Sequence, residues 1–227
     1  MTGASELLTG ASELFQASSA PAATAASEAS SFPSFDVLAT DGSELDIAPT
    51  PRGQAVVAVL SDTHGYLPPE AFRALASLDP QLIVHAGDIC GDDILPRLTM
   101  LAPVVAVLGN NDYSGEYGPR VRSRAEFSLL GVDFQVEHIR SRFTMIPTAR
   151  IVVCGHTHVA RVEQCGAATV VNPGSTTRPR GGEGASVAVI TLEPGYVRSI
   201  RILRTADFGR LVFGELREDF GHRVSNR

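Results

Sequence analysis

The chain has 227 residues and a net charge of −6, from 25 acidic side chains against 19 basic ones, every one of them Arg. The charge is uneven: residues 1–51 hold seven acids and no base, while the remainder, with 18 acids and 19 Arg, sits at +1. A folded part so near neutrality argues against a general nucleic-acid binder, and no apolar run approaches the ~20 residues of a membrane helix. Three cysteines at no zinc spacing make no disulfide framework. With no basic and apolar leader at the N-terminus, a reducing cytoplasm is the simplest compartment.

Residues 1–53 read as a disordered, acidic, Ala/Ser-rich tail: nine Ala and eight Ser fill half of residues 1–34, and TGASELL at 2–8 recurs as TGASELF at 9–15. From Gln54 the pattern changes. Three short apolar runs, Ala55 to Leu60, Leu82 to His85 and Val104 to Leu108, each end in a polar cluster: Ser61-Asp62-Thr63-His64-Gly65, Ala86-Gly87-Asp88 and Gly109-Asn110-Asn111-Asp112. Helical stretches at Pro69 to Ser77 and Asp92 to Met100 separate them. Solid apolar strands alternating with helices predict a sheet buried on both faces, whose ligands gather at the carboxyl ends of the strands. Farther on, Ala125 to Leu130 and Val132 to Glu137 read as a hairpin around Gly131. Ile151 to Cys154 is a strand ending in Gly155-His156-Thr157-His158. Val159 to Gln164, Ala168 to Val171, Ser186 to Leu192 and Val197 to Leu203 are mostly adjacent β segments. The expectation is an α/β fold of two facing sheets with helices outside, over residues 54–205, followed by a polar extension at 206–227.

Seven polar side chains fall at or just past these strand ends: Asp62, His64, Asp88, Asn110, His138, His156 and His158. Carboxylate, imidazole and amide oxygen together suit a divalent ion such as Mn²⁺, Fe²⁺ or Zn²⁺. Seven donors exceed one tetrahedral zinc site and suit two ions sharing a carboxylate. Each piece alone is ordinary: Asp-x-His is commonly a turn, and Gly-Asp after a strand is loop punctuation. Two histidines flanking one residue after a buried strand carry more, and the four pieces in this order are highly specific.

Asp62-x-His64, Gly87-Asp88, Gly109-Asn110, His138 and Gly155-His156-x-His158 resemble the calcineurin-like metallophosphoesterase signature. With Asn172-Pro173-Gly174-Ser175 and Arg178-Pro179-Arg180, the resemblance extends to the small YfcE-type phosphodiesterases, relatives of the retromer scaffold subunit, over roughly Ala55 to Leu203. It implies a four-layer α/β/β/α sandwich holding two divalent metals, Mn²⁺ first, with Fe²⁺, Zn²⁺ or Ni²⁺ as alternatives. It further implies one metal on Asp62, His64, Asp88 and His158, and a second on the bridging Asp88, Asn110, His138 and His156. Asp88, Asn110 and His138 are thereby the catalytic candidates, around a bridging hydroxide that attacks phosphorus in line. The substrate class is a small phosphate ester, most simply a diester; no membrane or nucleic-acid partner is expected, and a homodimer is left open.

Two departures from the family pattern matter. Asn111 stands where many members carry His or Cys, the His being credited as general acid, and an amide cannot donate a proton in that way; the expectation is faster turnover of esters with good leaving groups. Asp112 is read as the residue that orients a ligand from behind. Secondly, His138 is followed by Ile139, and only 16 residues separate it from Gly155, so the helix beside the site is expected to be trimmed and His138 is the least certain ligand. Elsewhere, His85 reads as a hydrogen-bonded core histidine and His222 as solvated. Cys90 and Cys154 read as buried, and Cys165 as a turn residue. Arg178 and Arg180 read as loop or salt-bridge residues, Arg120, Arg122 and Arg124 as an exposed strand stripe, and Arg140 and Arg142 as weak substrate contacts. The competing reading is a metal-poor scaffold of the same fold, which predicts eroded ligands; a nuclease shares the site but lacks a basic surface.

Overall fold

The computed structural model describes residues 37–140, 146–182 and 184–208. Among them lie ten strands: β1 (Ala55–Leu60), β2 (Leu82–His85), β3 (Val104–Ala106), β4 (Arg124–Leu129), β5 (Val132–Glu137), β6 (Ile151–Val153), β7 (Arg161–Cys165), β8 (Ala168–Asn172), β9 (Ser186–Glu193) and β10 (Tyr196–Arg204). Two helices, α1 (Pro69–Ser77) and α2 (Ile94–Thr99), follow β1 and β2. None of the described helices is long and apolar enough to cross a membrane.

The strands form two five-stranded sheets, ordered β10-β9-β1-β2-β3 and β4-β5-β6-β8-β7. In the first, β1, β2 and β3 are parallel, and β9 and β10 extend the sheet antiparallel. In the second, β5, β6 and β8 are parallel, edged by the antiparallel β4 and β7. The solid apolar runs are explained by what lies on each face. Val57, Val59, Leu82 and Val84 point between the sheets, where they meet Phe127, Phe134, Val136, Ile151 and Val153. Their neighbours Ala58, Leu60 and Ile83 point outward onto the helices, through Ala71, Ala74 and Leu75 of α1 and Ile94, Leu95 and Leu98 of α2. The α1 contacts recur at i, i+3 and i+4, one face of a helix. Truncating the fully buried Leu75 to Ala costs about 2–5 kcal/mol.

The β4–β5 hairpin turns through Leu130 and Gly131, both at positive φ (51° and 72°), as a two-residue hairpin loop requires. Its register stacks Phe127 on Phe134 across the strands, ring centroids 4.8 Å apart.

Three expectations shift. Helix α2 begins at Ile94, two residues late, and β3 ends at Ala106, with Val107 making only a bridge to Arg122. No helix covers the outer face of the second sheet among the described residues; Ile146 and Ala149 of the short connection pack there against Val152, Cys154 and Val170. The boundary at residue 53 is drawn too late. Val37 is buried against the first core and bridges Val104, Leu38, Leu45 and Ile47 pack against the inter-sheet core, and Glu44 bridges Ser128. Residues 37–47 thus cover the edges of both sheets, at β3 and at β4, which otherwise expose unpaired backbone groups. Scattered apolar residues in a polar stretch carry no period, so composition alone assigned them to the tail; residues 1–36 lie outside the described residues.

Candidate metal centre

The loops that follow β1, β2, β3, β5, β6 and β8 meet at one end of the sandwich. Backbone hydrogen bonds tie the first two together: Asp62 N–H donates to Gly87 O (3.0 Å), His64 N–H to Asp88 O (3.0 Å) and Gly65 N–H to Ile89 O (2.8 Å). Six non-glycine residues here lie in the left-handed region, namely Asp62, His64, Asp88, Cys90, His156 and His158, at φ of 47–66°. Such conformations cost of order 1–3 kcal/mol each and persist where surrounding contacts over-determine them. The glycines preceding Asn110 and His156 serve close approach: a Cβ on Gly109 would collide with Asp88 Oδ1 and N, and one on Gly155 with Ser61 Oγ and Asp62 Oδ2.

Donor atoms of Asp62, His64, Asp88 and His158 lie within 4.8 Å of one another. His158 Nε2 is 3.1 Å from Asp62 Oδ1 and 3.2 Å from His64 Nε2, and His64 Nε2 is 3.7 Å from Asp88 Oδ2. His138 joins them, its Nε2 3.4 Å from Asp88 Oδ1 and 3.9 Å from Asp62 Oδ1. The ring tautomers follow from the outer hydrogen bonds. Nδ1–H of His138 donates to Ala86 O (2.7 Å) and that of His158 to Arg178 O (2.7 Å), so in the neutral rings both Nε2 atoms present lone pairs inward. Buried Asp62 Oδ1 and His138 Nε2 have no hydrogen-bond partner. Lone pairs converging without a proton donor repel, and a buried polar atom left unpaired costs about 1–3 kcal/mol. A cation at their centre removes both penalties, so these residues fit a divalent ion.

Asn110 and His156 are arranged differently. Both are exposed, and their side chains bond to each other, His156 Nδ1 to Asn110 Oδ1 at 2.8 Å. They adjoin the inner group through His156 N–H, which donates to Asp62 Oδ2 (3.1 Å), and through the His156 ring, edge-on to His138 at 5.4 Å between centroids.

Asn111 does more than vacate an acid's position. Its backbone N–H donates to Asp88 Oδ1 (2.9 Å) and its Nδ2 to Asp88 Oδ2 (2.6 Å), so one residue holds both carboxylate oxygens. Asp112 contacts no candidate ligand side chain; it accepts N–H bonds from Ile89, Cys90 and Gly109 (3.2, 2.9 and 2.8 Å) and braces the loops after β2 and β3. The expectation for Asp112 is therefore corrected, and the direct hold on Asp88 belongs to Asn111. Adjacent spacing cannot tell which of two neighbouring polar residues points into a site.

The electrostatics show a shortage of positive charge. Burial pushes the Asp62 carboxyl above its usual range and the His64 imidazole below its own. Burial acts to raise Asp88 too, but the nearby His138 ring and the two hydrogen bonds from Asn111 outweigh it and hold Asp88 well below the usual carboxylate range. For His138, burial pulls downward and is outweighed by the carboxylates of Asp88 and Asp62, which hold its pKa up.

The remaining candidates fall as follows. His85 is buried; Gly87 N–H donates to its Nδ1 (3.2 Å), so its proton sits on Nε2 and donates to Thr63 Oγ1 (3.0 Å), whose hydroxyl donates to Ile89 O (3.0 Å). Burial lowers its pKa to about 4, as fits a core histidine kept neutral. Asn172 Nδ2 donates to Gly155 O (2.8 Å), while Ser175 and Thr177 hydroxyls donate to Asp62 O (2.8 and 3.1 Å); the turn after β8 holds the ligand loops. Arg178 and Arg180 are exposed, and Arg180 N–H donates to His158 O (3.0 Å). Arg120 and Arg122 are exposed and Arg124 pairs with Glu126 and Glu137. Arg140 pairs with Glu163 (2.7 Å); Arg142 and His222 lie outside the described residues. Cys154 is buried and Cys165 half-buried at the end of β7. Cys90 is only half-buried, its Sγ 3.9 Å from His64 Nδ1, because its left-handed backbone turns it toward the site rather than the core.

An α/β sandwich that gathers carboxylates and imidazoles at the carboxyl ends of its strands defines a metal-binding protein of the phosphoesterase kind. A family model described as the calcineurin-like phosphoesterase superfamily domain matches residues 56–195, and the chain belongs to that family. It is 33% identical over 163 residues to a probable metallophosphoesterase of Methanothermobacter thermautotrophicus, covering 66% of this chain and 92% of that protein. It is 31% identical over 152 residues to another of Methanocaldococcus jannaschii, covering 56% and 71%. Among solved structures, the phosphoesterase YfcE of E. coli superposes with a TM-score of 0.55 at 24% identity, over 67% of this chain and 94% of that one. Vps29 of Entamoeba histolytica complexed with Zn²⁺ gives 0.53 at 19%, over 65% and 91%. Both likenesses concern the fold.

Proposed function

We propose that the protein is a metal-dependent phosphodiesterase acting on small phosphate esters with two divalent ions, Mn²⁺ first among them. The single observation that carries this reading is the convergence of donor atoms of Asp62, His64, Asp88 and His158 within 4.8 Å of one another beside His138, with the buried Asp62 Oδ1 and His138 Nε2 left without a hydrogen-bond partner. Bound there, two ions would supply a hydroxide nucleophile at neutral pH and charge stabilisation at the phosphoryl oxygens. Asp62, His64, Asp88 and His158 are proposed to hold the first ion, with Asp88 shared and Asn110, His138 and His156 completing the second position. Asn111 keeps both oxygens of Asp88 turned inward, and Ala86 O and Arg178 O hold the rings of His138 and His158 in the ligating tautomer. Asn111 offers the leaving group no proton, so the reading favours esters whose leaving group departs as a stable anion. The scaffold alternative predicts eroded ligands, and none of the seven positions is eroded. The three cysteines, unpaired, suit a reducing compartment such as the cytoplasm.

The test is Mn²⁺-dependent hydrolysis of bis-p-nitrophenyl phosphate by the full chain, with Asp88→Ala as control. The expected loss in the control exceeds the ~10–100-fold typical of residues behind a metal's ligands; activity surviving in Asp88→Ala removes the assignment. A matched alkyl diester should turn over more slowly than the aryl one, and equal rates would remove the leaving-group argument.

A further inference from the structure

Beside the candidate metal centre the second sheet carries a cavity of about 590 Å³, within the ~300–1,000 Å³ range of small-molecule sites. It opens on the outer face of β6, β8 and β7, where Cys154 and Val170 lie. One wall is the turn Gly155-His156-Thr157, whose His156 also bonds Asn110 of the candidate metal centre, so the cavity adjoins the centre at this turn. The floor is apolar: Cys154 and Val170 are buried, and Ile139 and Val159 line the sides. At the far rim, Arg140 Nη1 and Arg161 Nη2 both contact one oxygen of Glu163, at 2.7 and 3.2 Å. Two guanidinium groups on one carboxylate leave an excess positive charge there, carried by Arg161 at 66% side-chain exposure.

We propose that this cavity receives one ester arm of the phosphodiester, an arm with a flat apolar body and an anionic end. The inference rests on the phosphoesterase reading of the adjoining centre. Phosphorus held on the far side of His156 places an arm across that ring and into the cavity, where a ring-sized body covers Cys154, Val159 and Val170. A carboxylate or phosphate at the end of that arm meets Arg161, whose planar fork suits either anion. The arrangement favours diesters over monoesters, because a monoester brings no second arm to fill the space.

The test uses the full chain loaded with Mn²⁺ and three p-nitrophenyl diesters whose other arm is methyl, phenyl or 4-carboxyphenyl. KM should fall from methyl to phenyl and again from phenyl to 4-carboxyphenyl, each step by up to about tenfold. Arg161→Ala should erase the second step and Arg161→Lys restore part of it. Val159→Trp, at an exposed rim position, should raise KM for both aryl arms relative to methyl. Equal KM for the three esters in the wild type, or a carboxylate preference that survives in Arg161→Ala, overturns the proposal and leaves the phosphoesterase reading standing. Calorimetry with 4-carboxybenzylphosphonate separates the two claims without turnover. If no ester is cleaved yet this probe binds in an Arg161-dependent way, the hydrolase reading fails and the cavity stands as an anion-tipped ligand site; absence of binding overturns the cavity as well.

Discussion

The inner and outer halves of the candidate metal centre both join imidazole to an oxygen donor, carboxylate inside and amide outside, and solve opposite problems. The inner half, Asp62, His64, Asp88, His138 and His158, is largely buried, and two of its inward-facing atoms, Asp62 Oδ1 and His138 Nε2, have no hydrogen-bond partner. The outer half, Asn110 and His156, is exposed and satisfies itself with one hydrogen bond. A cation relieves strain in the first and must break a bond in the second. The two positions should therefore load with different affinities, the inner one first.

Removing an inner ligand is the most severe way to break that contrast. His158→Ala should abolish tight Mn²⁺ binding at both positions, because the remaining inner donors no longer enclose an ion; two bound equivalents by elemental analysis would contradict it. His156→Ala should be milder, retaining about one equivalent, and loss of both ions would show the halves to be interdependent. Asn111→Ala sharpens the comparison at the carboxylate they share. Freed from two hydrogen bonds, Asp88 should bind Mn²⁺ about 10–100-fold more weakly in a calorimetric titration, and Asn111→Gln should not recover the loss, since a longer side chain cannot keep both contacts.

The effect farthest from the ligands concerns pH and lies behind the site. His85 accepts the Gly87 N–H on Nδ1, so protonating that nitrogen sets two donors against each other. Its folded pKa, about 4 against an ordinary 6.5, means that below pH 6.5 the unfolded chain takes up a proton that the folded one refuses. Stability should decline as pH falls from 6.5 toward 4 and lose no more from this residue below that, a total of about 3 kcal/mol. Urea midpoints across this window should slope less in His85→Gln; an unchanged slope would assign the effect to other groups.

Much of this was legible in the chain. The apolar runs at Ala55, Leu82 and Val104 and the hairpin around Gly131 mark their strands because buried parallel strands need solid apolar composition and tight hairpins need positive φ. The seven candidate ligands sit at strand ends, where a parallel sheet gathers ligands, and the structure brings four of them into mutual reach, with His138 beside the two carboxylates. The docking of Val37 to Ile47 was not legible, because a strap across two sheet edges needs only a few apolar residues and has no period. Nor was the exchange of roles between Asn111 and Asp112, since adjacent side chains diverge according to backbone dihedrals that spacing does not encode.

The sequence by itself determined which segments become strands, where the polar clusters fall among them, and which donor types those clusters offer, because local periodicity and residue chemistry are properties of short windows. Only the tertiary structure decided which donors face inward bare and which pair among themselves, that Asn111 grips both oxygens of Asp88, and that an open cavity lies beside His156. Those depend on contacts between residues tens of positions apart, whose geometry exists only once the two sheets have packed.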